Sequence, residues 1–189
     1  ELEVPHISLY SLTIEPNTLF DKKGYTSLDE DTEAQMYEIA RDYLISKGYI
    51  HYEISNFCKK GYESKHNLGY WNYDDFYGIS MGASGKENNI RYDNTEDFKD
   101  YFNHNYTKEI IELSTQDQMF EMIMMGLRKK EGMNLKLFEE RFHTSFDSVD
   151  QEKKDKAIEK GLLEDNGEYI RCTKESFEIC NTVILEFLD

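Results

Sequence analysis

The sequence predicts an α/β fold: a strand–helix–strand unit followed by a helical module of winged-helix type. Three patterns carry this. Ile7, Leu9, Leu12 and Ile14 space apolar residues as a buried strand does, over 4–14. Residues 29–46 then place Ala34, Tyr37, Ile39, Ala40, Tyr43 and Leu44 at helical spacing. Late in the chain, Asp165-Asn166-Gly167 separates two short apolar runs, a strong hairpin signal.

Each element can be justified in order. Glu15-Pro16-Asn17 closes the first strand with turn residues, and 19–27 reads as a loop. Gly48 is placed to end the helix at 29–46. Ile50, Tyr52 and Ile54 alternate through a second strand over 49–57. Strand, helix and strand at this spacing predict a βαβ unit and a parallel sheet. Residues 76–83 and 88–92 suggest a hairpin. Composition shifts near Leu113, so the chain divides into 1–113 and 114–189. Thr115 and Gln118 suggest a capping box for a helix over 116–130, whose Met119, Phe120, Ile123, Met124 and Leu127 form a packing face. A short helix (Leu135, Phe138, Phe142), a longer one over 146–160 stopped by Gly161, the hairpin over 162–172 and a last helix capped by Thr173 complete the module. In that last helix Phe177, Cys180, Ile184 and Phe187 share a face.

Composition restricts function. Of 189 residues, 39% are hydrophobic and 14% aromatic, enough for a core. The formal net charge of −16 repels phosphate backbones. The helix before the hairpin, where winged modules often hold DNA, sets Asp147, Asp150, Glu152, Asp155 and Glu159 against four lysines. No nucleic-acid partner is expected. No apolar run approaches the roughly 20 residues a membrane span requires, so no stable membrane insertion is expected. Cys58, Cys172 and Cys180 are scattered, which predicts reduced thiols and a cytoplasmic protein, with no metal site built from the chain. Cys58, at a strand end, is expected at the surface. The opening ELEVPHISLYSLTI begins inside an apolar strand and predicts a piece of something longer, whose edge over 4–12 invites homo-oligomers.

The chemistry concentrates in KHNLGYWNYDDFYGISMGASG, residues 65–85. Five aromatics stand in the eight positions from Tyr70 to Tyr77, interleaved with Asn72, Asp74 and Asp75. Two readings of His66 stand. A neutral imidazole ligates haem iron, with Tyr70 and Trp71 against a porphyrin face. Alternatively this is a surface turn whose aromatics plug the end of the sheet. Gly78, Gly82 and Gly85 suit either a close approach to a ligand or a tight loop.

HISLYSLTIEPNT at 6–18, YEISNFCKKGYESKHNLGYWNYDDFYGI at 52–79 and GLRKKEGMN at 126–134 resemble the oxygen-independent coproporphyrinogen III oxidase-like family of radical S-adenosylmethionine proteins. Within it the haem-chaperone branch is the most similar. The resemblance implies the C-terminal part of an incomplete TIM-like barrel with added strands, followed by the family's C-terminal winged-helix-like domain. In full-length members a CxxxCxxC loop binds a [4Fe–4S] cluster that cleaves S-adenosylmethionine. That motif is absent from these residues, so this stretch alone is expected to lack radical chemistry.

The HNxxYW pattern, matched by His66, Asn67, Tyr70 and Trp71, marks the chaperone branch and implies haem binding at these residues. A haem or porphyrin ligand and a haem-acceptor protein are the implied partners. The alternatives are a coproporphyrinogen III dehydrogenase, which oxidatively decarboxylates propionates, and a non-catalytic protein-interaction module. Relatives commonly read GIGPGAHSF where this chain has GISMGASGK at 78–86. The resemblance places Gly82, Ala83 and Ser84 near S-adenosylmethionine, with Thr13 at a strand end nearby.

Overall fold

A computed structural model describes residues 3–185 and 187, without the side chain of Asp150. The outermost residues of the two expected domains, 1, 2, 188 and 189, lie outside the described residues. The chain forms two compact units, Glu1–Glu63 and Ser64–Asp189.

In the first unit β1 (His6–Ser8) leads through a short helix α1 (Leu19–Lys22) to the long helix α2 (Glu30–Ser46), then to β2 (Ile50–Glu53) and β3 (Asn56–Cys58). Asp29 caps α2 by accepting from the Thr32 amide at 2.9 Å. Gly48, at φ +77°, closes it, its N–H donating to the Ile45 carbonyl at 2.9 Å. The sheet order is β1-β3-β2 and both pairings are antiparallel.

This corrects the expected parallel pair. The run 49–57 is two strands joined through Ile54 and Ser55, and the second inserts between β1 and β2. Those two run in the same direction, as a helical crossover requires, but they do not touch. Two other expectations change. The strand expected over 4–14 is ordered as a strand only at His6–Ser8, because β3 has three residues to offer it. The loop expected over 19–27 contains α1, capped by Thr18. The inward face of α2 is carried by Tyr37, Ala40 and Leu44, whereas Ala34, Ile39 and Tyr43 of the expected stripe are exposed.

The second unit begins with α3 (Lys65–Trp71), followed by β4 (Ser84–Glu87), β5 (Ile90–Asn94), α4 (Phe98–Phe102) and β6 (Thr107–Glu112). The three strands form an antiparallel sheet in order β4-β5-β6. The first hairpin strand therefore lies downstream of 76–83. Ser80 at φ +81° and Gly82 at φ +66° break that segment, and only Phe76 bridges back to Lys86. Any side chain at Gly85 would displace the Tyr92 ring. The Tyr92 ring crosses directly over it, and a Cβ there would sit 2.1 Å from a ring atom.

The remaining elements are α5 (Thr115–Gly126), β7 (Met133–Asn134), α6 (Leu135–Phe142), α7 (Phe146–Glu159), β8 (Leu163–Asp165), β9 (Tyr169–Cys172), a 3-10 turn (Phe177–Ile179) and α8 (Cys180–Leu185). Their sheet order is β7-β9-β8. Helix, strand, two helices and a hairpin, with the first strand alongside the last, is a winged-helix arrangement. The capping box sits one residue earlier than expected, on Ser114 and Asp117, each side chain accepting from the other's amide at 3.1 Å. Ile123, Leu127, Met133, Phe138, Ile170 and Phe177 form a core with 1% exposure or less. Phe187 joins Phe177, Cys180 and Ile184 in it.

Lys154 of α7 is buried and fastens that helix to the wing, reaching Asp165 at 3.0 Å and also Asp147. Burial alone would lower its pKa, but hydrogen bonds to the two carboxylates outweigh it and hold the ammonium above its ordinary value. Burial likewise opposes ionisation of Asp165, and the Gly167 amide and Lys154 overcome it, holding the carboxyl below the usual range. The pair's contribution is therefore complete between about pH 4 and 10, the unfolded values of the two groups. It is lost as pH falls through the depressed Asp165 value, or rises through the elevated Lys154 value. Asp165→Asn is expected to cost roughly 1–3 kcal/mol at neutral pH and to flatten the acid limb of stability against pH. Thermal unfolding over a pH series reads both effects; an acid limb as steep as wild type would count against this assignment.

Candidate functional site

The segment 64–76 is organised by α3. Ser64 caps it, its hydroxyl accepting from the Asn67 amide at 3.3 Å. His66 is thus in the first turn of a helix, not in a surface turn. Its ring is exposed and stands edge-on to Tyr70, one helical turn on, at 4.7 Å between centroids. Tyr70 meets Phe76 in the same manner, also at 4.7 Å. These three rings form a ladder with the imidazole at its open end.

Trp71 turns elsewhere. The Arg128 guanidinium lies over its ring at 5.7 Å, and its buried Nε1 has no hydrogen-bond partner among the described residues. It lines a small cavity of about 10 Å³ with Asn72, Met122, Lys129, Met133 and Leu137. Asn67 is half-buried. The HNxxYW residues therefore divide, His66 and Tyr70 together and Trp71 on another side.

The acidic and aromatic residues after α3 build a buried polar network that sequence reasoning missed. Tyr73 adopts a left-handed backbone (φ +64°) and is 2% exposed. Its hydroxyl donates to Glu121 at 2.6 Å, and Arg91 pairs with Glu121 at 3.1 Å. Burial pushes the phenol pKa up, and the bond to the Glu121 carboxylate adds to the shift. The ring has Lys86 at 4.0 Å and Arg141 at 4.8 Å as cation–π partners. Asp75 bonds Lys86 at 2.8 Å and lies 3.8 Å from Arg141, which donates to the Tyr73 carbonyl at 2.9 Å. Lys129 is buried beside it, donating to Asn72 at 2.5 Å. Burial lowers its pKa against the opposing fields of Glu131 and Asp74. This network ties α3 and its sheet to α5 and α6. The sequence reading draws a boundary near 113, whereas the second compact unit begins at Ser64, because these bonds cross residue 113.

The remaining sequence candidates fall as follows. Thr13 is exposed and lies beyond the end of β1, not at a strand end. It belongs to the first unit, whereas Gly82, Ala83 and Ser84 belong to the second. The Gly82 amide donates to Thr95 at 3.0 Å, the Ala83 carbonyl accepts from Asn94 at 2.9 Å, and the Ser84 hydroxyl donates to Asp93 at 2.5 Å. Cys58 is fully buried, contrary to the surface position expected, and burial raises its thiol pKa. Burial pushes Cys172 up to about 12 and also raises Cys180. Buried thiols held protonated, with Cys58 in the other unit from Cys172 and Cys180, do not suit an iron–sulfur cluster. Among the described residues no group of three or more His, Cys, Asp or Glu is placed to hold a metal ion, and no helix is long and apolar enough to cross a membrane.

Two larger cavities lie in the first unit. One, of about 510 Å³, is lined by Tyr10, Leu12, Leu28, Met36 and Tyr37 among others. The other, of about 720 Å³, is lined by Val4, Ile7, Tyr43, Leu44 and Tyr49 among others. Neither includes a residue of the expected haem site.

Residues 113–177 match the HemN C-terminal domain. The whole chain aligns with the haem chaperone HemW of Lactococcus lactis, 40% identical over 195 residues and covering 52% of that protein. The chain is homologous to part of HemW. HemW of Bacillus subtilis is 35% identical over 99% of this chain and 52% of its own length. The chain spans about half the length of the curated HemW relatives it matches. Its fold also matches that of a solved structure, the coproporphyrinogen III oxidase HemN of Escherichia coli, described as a radical SAM enzyme. The TM-score is 0.75 at 12% identity, over 97% of this chain and 48% of that one. The likeness to that solved HemN structure is thus one of fold; the sequence similarity along the whole chain runs to HemW.

Proposed function

We propose that this chain is the haem-binding part of a HemW-type haem chaperone, with His66 as an axial ligand of the haem iron. The observation that carries it is the exposed imidazole of His66, fixed on a capped helix and walled by Tyr70. Bound haem would supply an open iron coordination position. A ring nitrogen of His66 would ligate the iron there, while Ser64 holds the first turn and Tyr70 restricts the ring's rotation. Asn67 and Trp71 serve the site by setting α3 in place. Three other histidines are less suited, since the rings of His6, His51 and His104 each contact a tyrosine hydroxyl. His143 is exposed but occupies the left-handed position that closes α6.

The same reading assigns delivery of haem to an acceptor protein, and a [4Fe–4S] cluster and S-adenosylmethionine to the full-length protein, with Gly82, Ala83 and Ser84 near the latter. Homology to HemW along the whole chain supports it, as does the left-handed Gly82 in an exposed loop. The buried thiols support a cytoplasmic location.

In the full-length protein, His66→Ala is expected to weaken haem binding at least tenfold, about 1.4 kcal/mol, or to change the axial-ligand spectrum. His104→Ala and His143→Ala should leave both unchanged. Absorbance titration with haem decides it; an unaltered spectrum and affinity in His66→Ala would return this residue to a structural part in the aromatic ladder.

A further inference from the structure

We propose that the exposed aromatic surface of α4 and the turn after it docks a basic amphipathic segment of a partner protein. Five side chains build this surface, each ring meeting the next. Phe98 and Phe102 stand one helical turn apart on α4 and stack at 6.3 Å between centroids. Tyr101 meets Phe102 edge-on at 6.2 Å and Tyr106 at 5.2 Å, and His104 closes the series against Tyr106 at 5.7 Å. Phe98 is 68% exposed, Phe102 74% and Tyr106 45%. Rings that served only the core would be covered. A contiguous apolar surface left to water marks a place of contact.

The backbone holds these rings in position before any partner arrives. Asp97 caps α4, its carboxylate accepting from the Lys99 amide at 2.7 Å and the Asp100 amide at 3.1 Å. His104 takes the left-handed conformation, φ +64°, just past the end of the helix. The turn is fixed on both sides. The Asn105 N–H donates to the Asp100 carbonyl at 2.9 Å, and the Thr95 N–H to the Tyr106 carbonyl at 2.7 Å. The His104 ring contacts the Tyr106 hydroxyl at 2.5 Å. Little freedom remains to be lost on binding, which favours affinity.

Charge selects the occupant. From 96 to 112 the chain carries Glu96, Asp97, Asp100, Glu109 and Glu112, all exposed, against Lys99 and Lys108. Lys108 already lies 3.7 Å from Glu96. Aromatic faces are themselves electron-rich and attract guanidinium and ammonium groups. An apolar surface rimmed by carboxylates therefore fits a segment whose apolar residues are flanked by arginine or lysine. It disfavours an anionic lipid surface. It equally disfavours a second copy of this chain, whose carboxylates would oppose its own. No residue of this surface belongs to the candidate haem site, so the proposal stands whether or not His66 ligates iron.

The test is a titration of the whole chain with a synthetic amphipathic helix of leucine and lysine, at physiological ionic strength, followed by amide chemical shifts in nuclear magnetic resonance. Shifts are expected to concentrate over 96–112. Phe98→Ser combined with Phe102→Ser should weaken binding about tenfold or more. Leu137→Ser, at an exposed apolar position of α6, should not. The leucine–glutamate counterpart of the peptide should not bind. Both phenylalanines are exposed, so the double variant keeps the fold, and amide shifts unchanged outside 96–112 verify it. No binding, shifts spread over the acidic surface, or binding indifferent to the loss of the two rings overturns the proposal. So does ring-dependent binding to phosphatidylglycerol vesicles in place of the peptide, or a concentration-dependent dimer that the double variant abolishes.

Discussion

Phe138→Ala is expected to lower the stability of the second unit by about 3–5 kcal/mol. The side chain is fully buried on α6, with the Phe142 ring at 4.9 Å and the Phe146 ring edge-on at 5.6 Å. Phe146 in turn lies 6.2 Å from Phe187, so one truncation leaves a cavity at the meeting point of α6, α7 and the C-terminal segment. Close-packed rings on fixed helices relax poorly into such a space. The neighbouring Leu137, 47% exposed on the same helix, is the control. Leu137→Ala should cost about 1 kcal/mol or less. Urea denaturation of the two variants measures the contrast. Similar losses for both would show that α6 is not seated as described.

Asp75→Ala is expected to be nearly as damaging, by about 3 kcal/mol, for an electrostatic reason. It removes the carboxylate bonded to Lys86, whose side chain is 3% exposed. The ammonium is left buried with the Tyr73 ring as its principal remaining contact, and a cation–π contact does not replace a counterion. Arg141 loses the same carboxylate. The mechanism predicts a strong non-additivity: once Lys86 is replaced by Met, Asp75→Ala should cost far less, because no stranded charge remains. A double-mutant cycle in denaturant measures the coupling. Additive losses would mean that the pair contributes little and that the rings alone hold this region.

What the sequence disclosed and what it hid follow from the range of each interaction. Signals confined to a few residues were readable: Asp29 as a cap, Gly48 as a stop, and the turn at Asp165-Asn166-Gly167, where the Asn166 side chain accepts from the Tyr169 amide at 2.8 Å. The winged module follows from such local signals. The sheet of the first unit does not, since Ile54 and Ser55 alternate like strand residues while the chain reverses at them. His66 was legible as a residue of interest but not as a helical one, although Ser64 stands where a cap stands. The Tyr73 network was out of reach. Its hydroxyl bond to Glu121 spans 48 residues, and Arg141 lies 68 residues from the carbonyl it serves. No local pattern announces that a lysine such as Lys86 will be enclosed; burial of a charge becomes visible only when its partners are assembled.

Trp71 is the chain's one tryptophan, and it stands on α3 five residues after His66. At about 1.5 Å of rise per helical residue, the indole and the imidazole are separated by roughly 7–8 Å along the helix axis. Nature has thereby installed an optical gauge beside the candidate haem ligand. A porphyrin held by His66 would drain the indole's excited state by energy transfer, so ultraviolet emission would darken in proportion to occupancy, with no label attached. Because the same indole lies under the Arg128 guanidinium, its colour also reports whether α3 remains seated on the winged module. One photon count would therefore follow loading, and the wavelength at which it arrives would follow folding.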